Sequence, residues 1–286
     1  MSLQPLPSSH PQRWRTLLIW LALIPLALII LAPMWHMAVY AFVPERAQFA
    51  WPFQWVPGFP SPVTLQHFIT FFQDPEMPAA RWFLNTLIVT LVGTALVVSI
   101  SALSGYAFAR LRFPGRDTIF FIMLIGLMVP TAVTLIPSFL LLRDIKVLDS
   151  HLALWIPALA NVGGMFLLRQ GFFGIPRELE DAARVDGAGR FRIFWQVCLP
   201  LVQSSLVAQS ILSFLFFWND LTWPLIVLSD RAKLTLPVGI LFMGFNSGVG
   251  LYFAAGSLSA LPVLLFYALF HRQIIEGVTT AGLAGR

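Results

Sequence analysis

Two groups of residues with binding chemistry interrupt a chain that is otherwise mostly apolar. The first is a charged segment whose candidate partner-contacting residues are Glu178, Glu180, Asp181, Ala182, Ala183, Arg184, Asp186 and Gly187. The second combines indole rings with polar side chains and comprises Trp218, Asn219, Asp220, Trp223 and the more distant Asn85. Such groups recognise ligands by ion pairing, hydrogen bonding and ring contacts. No catalytic residue and no metal ligand is predicted, and the single Cys198 excludes an intramolecular disulfide and a cysteine-based zinc cluster.

The charged segment has the features of a short helix over residues 177–187. Pro176 suits a first helical turn, acidic residues follow where a helix N-terminus favours negative charge, and Gly187 suits the turn after the helix. Leu179, Ala182 and Ala183 have i, i+3, i+4 spacing, which predicts one small apolar face. Such a helix can fit a cleft on a partner protein, or it can be an amphipathic surface helix that only covers a loop.

The tryptophan-containing group also has two interpretations. Indole rings and hydrogen-bonding side chains can contact the apolar face and the polar groups of a ligand, and residues 218–223 supply both together. The same residues also fit an interfacial aromatic belt beside a polar helix end. Asn85 is as compatible with a hydrogen bond between helices as with a ligand pathway.

Membrane-spanning helices must carry both groups. Of the 286 residues, 58% are apolar and only 11% are charged, with a mean hydropathy of +0.79, whereas soluble domains are about one-quarter charged. A span needs about 20 apolar residues. Six runs without Asp, Glu, Lys or Arg are the candidate spans: 17–43, 82–109, 118–142, 152–168, 193–219 and 234–271. Because glycines and Asn246 punctuate residues 244–250, the last span is expected near residues 252–270.

The distribution of basic residues predicts the orientation. With the N-terminus in the cytoplasm, twelve of the 18 Lys and Arg residues lie on the cytoplasmic side, which retains basic loops. Both termini are therefore expected to be cytoplasmic. The net charge of +5 is a topology signal spread over several loops, so nucleic-acid binding is not expected. The first apolar run is too long for a signal peptide and has no clear cleavage site, which favours an uncleaved span.

Residues 44–81 form the expected external loop. Its seven prolines oppose a long helix, and its tryptophans favour the membrane interface. Residues 65–72 have the periodicity of a short amphipathic helix. The loop is either a docking surface for an extracytoplasmic partner or connecting structure.

The charged segment resembles a known family motif. Asp-Ala-Ala at 181–183, Gly187, Val197 and Leu-Pro at 199–200 are separated by three, nine and one residues. This pattern is similar to the EAA motif of bacterial ABC importer permeases, Glu-Ala-Ala, x3, Gly, x9, Ile, x, Leu-Pro. Asp181 stands where the motif has Glu, and Val197 where it has Ile.

Further segments resemble the carbohydrate-uptake permeases related to the maltose transporter's smaller membrane subunit. They are Arg-Trp-Phe-Leu-Asn-Thr at 81–86, Gly-Tyr-Ala-Phe-Ala-Arg at 105–110, Trp-Asn-Asp at 218–220, Leu-Thr-Leu-Pro-Val-Gly at 234–239 and Gly-Val-Thr-Thr-Ala-Gly at 277–282. The resemblance covers roughly residues 15–286. The tail departs from the family pattern by an extra Thr and by ending in Leu-Ala-Gly-Arg.

The resemblance implies an all-α, polytopic membrane helix bundle with six transmembrane helices and a cytoplasmic coupling helix between spans four and five. It implies a permease subunit of a binding-protein-dependent ABC importer in the bacterial cytoplasmic (inner) membrane, carrying a sugar or related solute. The implied partners are two ABC ATPase subunits, a second membrane permease subunit, an extracytoplasmic solute-binding protein, the sugar-like substrate and membrane lipid. The charged segment would contact the ATPase, and the tryptophan-containing group would line the substrate pathway.

The expected organisation follows from the spans and the motif. It comprises a cytoplasmic N-terminal segment at 1–16, a first span at 17–43, an external loop at 44–81, a permease domain at 82–272 with a coupling loop at 169–200, and a cytoplasmic tail at 273–286. No G-x-x-x-x-G-K-[ST] phosphate loop is present, because the only lysines, Lys146 and Lys233, follow Ile145 and Ala232. The chain is therefore expected to be no enzyme and to bind no cofactor itself, with ATP and Mg held by the partner ATPase subunits.

The alternative function is an ion-coupled secondary transporter. That mechanism commonly needs carboxylates or broken-helix ion sites near the membrane midplane. The first four spans contain no carboxylate, and the nearest candidate, Asp220, lies roughly 30 Å along a helix from Pro200. A membrane scaffold or channel would leave the charged helix and its Leu-Pro end unexplained.

Overall fold

The computed structural model describes the backbone of residues 11–74, 77–244 and 248–283, and the side chains of residues 14–74, 77–244 and 248–270. Apart from one isolated bridge between Val56 and Phe59, the regular structure in these ranges is helical. The predicted all-α class is therefore confirmed. The side chains of the predicted tail at 273–286, most of the predicted segment at 1–16 and Asn246 lie outside the described residues.

The α-helices follow the chain in order. They are α1 (Pro11–Tyr40), α2 (Gln66–Gln73), α3 (Ala79–Arg110), α4 (Arg116–Gly126), α5 (Thr131–Asp144), α6 (Leu152–Ala158), α7 (Val162–Phe173), α8 (Arg177–Val185), α9 (Arg190–Arg192), α10 (Leu199–Leu201), α11 (Gln203–Asn219), α12 (Thr222–Val227), α13 (Leu236–Met243) and α14 (Val249–Leu283). Short 3-10 helices occupy Glu45–Ala47 and Arg231–Lys233, and a π-helix occupies Ile193–Cys198.

Helix length and hydropathy define three to six candidate membrane spans in the described residues. Trp14–Tyr40, α3 and Val249–Phe270 are each long and apolar enough to cross a bilayer. The predicted runs at 118–142, 152–168 and 193–219 are instead bent pairs of helices, with bends of 104°, 50° and 81°. The six predicted spans correspond to these three helices and three bent pairs if each pair crosses the membrane once.

Local sequence accounts for the bends. Pro130 precedes α5, and a proline disfavours helical geometry at the residue before it. Asn161 caps α7, because its side-chain oxygen accepts a hydrogen bond from the Gly164 N–H at 2.6 Å. Pro200 has no N–H to donate, and the wider turns of the π-helix lie directly before it. Each bend therefore begins at a residue that interrupts regular helical hydrogen bonding or caps a new helix.

The chain divides into two compact units, of which one comprises residues 1–73 and 243–258. Its small core contains Val39, Tyr40 and Val43, against which Phe253 packs. Most of α1 is apolar on all sides and exposed, as expected of a helix that faces lipid or another subunit.

The other unit comprises residues 74–242 and 259–286 and is built around α3. α3 packs most extensively on α7 and then on α11. Gly105 allows the first of these approaches, because a Cβ atom there would lie 2.9 Å from the backbone nitrogen of Arg169. The helices meet more closely than any side chain at this position would permit.

A hydrophobic cluster fills this unit near the Arg110 end of α3. Its buried members are Ala102, Tyr106, Ala109, Leu168, Phe172, Ile175, Ile193, Phe194, Cys198 and Val202. Eight of them come from α3, α7 and the π-helix, and Ile175 and Val202 lie in the turns after α7 and α10, so one core joins these segments. The single cysteine is buried in it.

Candidate functional site

The charged segment forms α8, which begins after Pro176 and is followed by Gly187. The Gly187 N–H donates to the Arg184 carbonyl at 3.0 Å, and the Ala188 N–H donates to the Ala183 carbonyl at 2.9 Å. These two bonds form a Schellman motif, which needs a left-handed residue after the helix cap. Gly187 has a φ of +80°, so the glycine supplies the conformation that ends α8.

Glu180 attaches α8 to the end of α3. Its Oε1 lies 3.1 Å from Nε of Arg110, and both side chains are only 4% exposed. Arg110 also donates to the backbone carbonyls of Phe172 and Ile175, at the end of α7 and just beyond it. An isolated buried charge is costly, and here each of the two charges neutralises the other, while the carbonyls of Phe172 and Ile175 accept from Nη2 of Arg110. One guanidinium therefore joins α3, α7 and α8.

The predicted apolar face of α8 is divided between two sides. Ala183 packs against the hydrophobic cluster, whereas Leu179 and Ala182 are exposed. Ala183 follows Glu180 by three residues and so shares its side of the helix. Because Arg110 holds Glu180 inward, Ala183 also faces inward, so the small apolar residues of α8 are divided between the core and the surface.

The remaining charged residues of the segment are exposed. Arg184 Nη1 lies 2.5 Å from Oδ1 of Asp181, and its Nη2 lies 3.5 Å from Oε2 of Glu180. Glu178 and Asp186 are also exposed. Thus the predicted partner-contacting residues all lie on α8 or in the two residues that follow it, with Glu180 and Ala183 turned toward the body of the unit and the others available to a partner.

Asp220 and Trp223 line a cavity of about 510 Å³ between α5, α6, α11 and α12. An Asp220 carboxylate oxygen accepts from the Trp223 backbone N–H at 3.3 Å, and the Trp223 indole donates to the Ala153 carbonyl at 2.9 Å. Hydroxyl groups also line this cavity, from Thr131, Thr134, Ser138 and Thr222. A carboxylate, an indole and several hydroxyls are the groups that a sugar's hydroxyls and apolar ring face can use.

The other three predicted pathway residues make contacts elsewhere. Trp218 is 1% exposed and donates to the Ser259 carbonyl at 3.1 Å. Asn219 is exposed and donates to the Leu215 carbonyl of its own helix at 2.8 Å. Asn85 donates to the carbonyls of Ala232 and Leu234 at 2.9 Å each. These three residues do not line the cavity that Asp220 and Trp223 share, and their pathway role stays a prediction.

The far end of α3 is held by the loop that precedes α13. Trp82 donates to the Arg231 carbonyl at 2.7 Å, and the Leu236 N–H donates to the Thr86 hydroxyl oxygen at 2.7 Å. With the two bonds from Asn85, four hydrogen bonds thus join this end of α3 to residues 231–236. Uncharged groups make all of these contacts.

Asp149 ties the loop after α5 to the same loop. It accepts from the N–H groups of Ser229 and Asp230 at 2.9 Å each and pairs with Nζ of Lys233 at 2.8 Å. The backbone N–H of Asp230, followed by the Lys233 ammonium, lowers the pKa of the Asp149 carboxyl from its ordinary value to about 2. The carboxylate is therefore the form that holds the two loops together.

Sequence reasoning missed two features of these sites. Arg110 matched a family segment but was not assigned as the partner of Glu180, although a charge directly after a long uncharged run is a signal of a special environment. The hydroxyls of Thr131, Thr134 and Ser138 recur at i, i+3 and i+7 on an otherwise apolar helix, which is a pattern for one polar face. Among the described side chains, no group of three or more His, Cys, Asp or Glu residues is placed to hold a metal ion.

Comparisons with known proteins agree on one family. The family model described as "Binding-protein-dependent transport system inner membrane component" matches residues 98–276. The chain is 34% identical over 228 residues to the arabinooligosaccharides transport system permease protein AraQ of Halalkalibacterium halodurans, covering 79% of this chain and 81% of AraQ. It is 35% identical over 211 residues to the lactose transport system permease protein LacG of Rhizobium radiobacter, covering 73% and 77%. It is 31% identical over 259 residues to the sn-glycerol-3-phosphate transport system permease protein UgpE of Yersinia pestis, covering 88% and 91%.

One solved structure shares the fold over nearly the whole length. It is a chain of a bacterial ABC transporter involved in the import of the acidic polysaccharide alginate, with a TM-score of 0.81 and 22% sequence identity. The match covers 94% of this chain and 99% of that one. At this identity the likeness is one of fold.

Proposed function

Because the chain belongs to the family of binding-protein-dependent transport system inner membrane components, we propose that it is a permease subunit of an ATP-driven importer for a sugar or related solute. The chain is a multi-pass protein of the bacterial inner membrane and a transport component, not itself catalytic. The observation that carries the proposal is α8, a short charged helix anchored from within by Arg110 and exposed on its other side. No comparison favours an ion-coupled secondary transporter.

α8 serves as the coupling helix in this proposal. Its exposed residues, among them Leu179, Asp181 and Ala182, fit into a cleft on an ATPase subunit. The small side chain of Ala182 permits close approach, and Asp181 and Arg184 supply charged contacts. ATP and Mg are held by that subunit, and its closure displaces α8.

The Arg110–Glu180 ion pair carries this displacement into the membrane. Because separating the pair would deprive two buried charges of their closest countercharge, α8 and the end of α3 move together. α3 in turn packs along α7 and α11, so the motion reaches the helices that border the cavity. This is rigid-body switching of a bundle by a ligand bound to another subunit.

The cavity at Asp220 and Trp223 forms part of the substrate pathway in this proposal. Its hydroxyls and carboxylate supply hydrogen-bond partners, and the Trp223 ring supplies an apolar face. Two of the relatives, named for arabinooligosaccharides and lactose, support a sugar-like substrate for this chain. A second permease subunit completes the pathway, and a solute-binding protein delivers the substrate from outside.

The proposed topology has six crossings, with both termini in the cytoplasm. It assigns each bent helix pair to one span and places α8 on the cytoplasmic side, as the twelve basic residues on that side favour. A reporter fused after Arg286 then behaves as cytoplasmic, and one inserted near Gly58 behaves as external. A cytoplasmic signal from the Gly58 fusion would contradict the topology.

Substitution at Ala182 tests the coupling role directly. Ala182→Trp enlarges an exposed side chain on α8 and leaves Arg110 and Glu180 untouched, so the chain is expected to insert normally while ATPase co-purification and uptake are lost. The matched control for ATPase co-purification is Ala50→Trp, the same change at an exposed alanine in the loop predicted to be external. Undiminished ATPase co-purification and uptake in Ala182→Trp would show that α8 is only a surface helix.

A further inference from the structure

Two cavities that share lining residues lie where α8 approaches the loop between α3 and α4. Their volumes are about 390 and 470 Å³, and Arg112, Arg116 and Arg177 line both. Arg110, Arg184 and Arg190 also line the first cavity. We call this combined space the arginine cavity.

The carboxylates around the arginine cavity are already paired. Glu180 is paired with Arg110, Asp181 with Arg184, and Asp117 with Arg116 at 2.9 Å. Within the described part of the chain, the other three arginines form no ion pair: Arg112, Arg177 and Arg190. The cavity therefore has an excess of guanidinium groups, which bind phosphate oxygens through paired N–H donors.

An apolar helix face continues from this cationic region. α4 begins at Arg116, and its next two turns expose four large apolar side chains: Ile119, Phe121, Ile122 and Ile125. Ile119 lies less than one turn, about 5 Å, along the helix from Arg116. A ligand that follows both surfaces must have an anionic head and an apolar tail.

We propose that the arginine cavity binds the phosphate of an anionic phospholipid, with the acyl chains lying along α4. The proposal rests on the orientation given under the proposed function, in which this end of α3 faces the cytoplasmic leaflet. Basic pockets between membrane helices on that side bind anionic head groups. Free phosphate shares the head-group chemistry, but it has no chains to contact Ile119 and Ile122.

The test compares lipid binding by the purified importer complex in phosphatidylcholine vesicles with and without phosphatidylglycerol, read by native mass spectrometry. The variant is the double substitution Arg112→Gln and Arg177→Gln, and the matched control is Arg143→Gln with Arg231→Gln, two exposed arginines elsewhere in the chain. The affinity for phosphatidylglycerol is expected to fall about fivefold for each arginine removed from the cavity. It should be unchanged in the control. Equal retention of phosphatidylglycerol in the cavity variant and the wild type would overturn the proposal.

Two further arms identify the ligand's source. Ile122→Ser is expected to weaken phosphatidylglycerol binding, and added inorganic phosphate is expected not to displace the lipid. Full displacement by phosphate, with no effect of Ile122→Ser, would assign the cavity to free phosphate and overturn the lipid proposal. Loss of ATPase co-purification with lipid binding intact in the double variant would assign the arginines to acidic groups of the ATPase and also overturn it.

The outcome is separable from that of the proposed function. Sugar-stimulated ATPase activity without specific lipid binding would leave the importer standing and remove the lipid site. If the double variant does not fold, the single Arg112→Gln carries the test, with a fivefold loss of phosphatidylglycerol binding expected and no loss contradicting the proposal.

Discussion

At the Arg110 end of α3, a buried ion pair fixes the helix to α8, whereas at the Trp82 end the same helix is fixed by uncharged hydrogen bonds to residues 231–236. The two ends lie about 40 Å apart along the helix. The ionic contacts from Asp149 and Asp230 to Lys233, which lie beside the Trp82 end, are partly exposed. The two attachments therefore differ in what their loss would cost.

This difference shows how one helix can transmit motion. Separating Arg110 from Glu180 deprives two buried charges of their closest countercharge, so α8 shifts together with α3. At the Trp82 end, each neutral hydrogen bond contributes about 1 kcal/mol and can be lost singly. We infer that the Arg110 end of α3 moves together with α8 as a rigid body. At the Trp82 end, the hydrogen bonds between α3 and residues 231–236 can break one at a time.

The largest expected effect comes from breaking the ion pair. Arg110→Met removes the buried cation that neutralises the Glu180 carboxylate and leaves it with the 3.5 Å contact to the exposed Arg184. Breaking a buried ion pair in this way typically costs about 3–5 kcal/mol. The double variant Arg110→Met with Glu180→Met removes both charges and should be more stable than either single variant. Thermal unfolding of the purified complex measures this. A double variant less stable than both single variants would show that the ion pair is not what fixes α8 to α3.

At the other end, Asn85→Leu should have a moderate effect. It removes two donors and leaves the carbonyls of Ala232 and Leu234 without them, at a cost of about 1–3 kcal/mol. Limited proteolysis of residues 228–235, together with thermal unfolding, reports the loss. Asn219→Leu is the control for stability, because Asn219 is exposed and bonds only within its own helix. Equal destabilisation by both changes would mean that the loop attachment is unimportant.

The turn after α8 gives a smaller effect with a matched control. Gly187 has a φ of +80° and open space around its missing Cβ, so Gly187→Ala should cost about 1–2 kcal/mol through backbone conformation alone. Gly189 has equally open space and a φ of −72°, so Gly189→Ala should cost little. Strength of ATPase association, measured by co-purification at increasing salt, should fall only for Gly187→Ala. A loss of equal size in both variants would point to a steric contact with the partner rather than to the turn.

Local rules predicted α8 well, because Pro176, the acidic first turn and Gly187 act within a few residues of the chain. The inward direction of Glu180 was not predictable in the same way, since it depends on Arg110, which lies far away in sequence. The pathway residues show the same limit. Trp218 and Trp223 have the same side chain and lie close in sequence, yet one is buried in the packing of its unit and the other lines a cavity. Burial is set by tertiary packing, which residue type alone does not encode.

The bent helices show the same limit: local sequence indicates where a helix is interrupted, but tertiary packing sets the geometry. Pro130 and Pro200 are of a residue type that interrupts helices. The size of each bend is set by how the two halves pack, so each apolar run of the sequence predicts only a single span. The spacing of Thr131, Thr134 and Ser138 in the sequence indicates a hydroxyl face on α5, but only the folded chain shows that this face lines a cavity.

The smallest effect is expected at the exposed pair of Asp149 and Lys233, whose side chains are 34% and 42% exposed. Solvent screens such a pair, so Asp149→Asn should lower stability by no more than about 1 kcal/mol near neutral pH.

The pH dependence of this stabilisation follows from the pKa of Asp149, which is lowered to about 2 in the folded chain. A carboxyl with a lowered pKa stabilises the fold above its unfolded value of about 3.9 and loses that contribution as pH falls through the folded value. The difference in unfolding temperature between wild type and Asp149→Asn should therefore be constant down to about pH 5 and vanish toward about pH 2. A difference that persists unchanged at about pH 2 would show that the Asp149 carboxylate does not hold the two loops together.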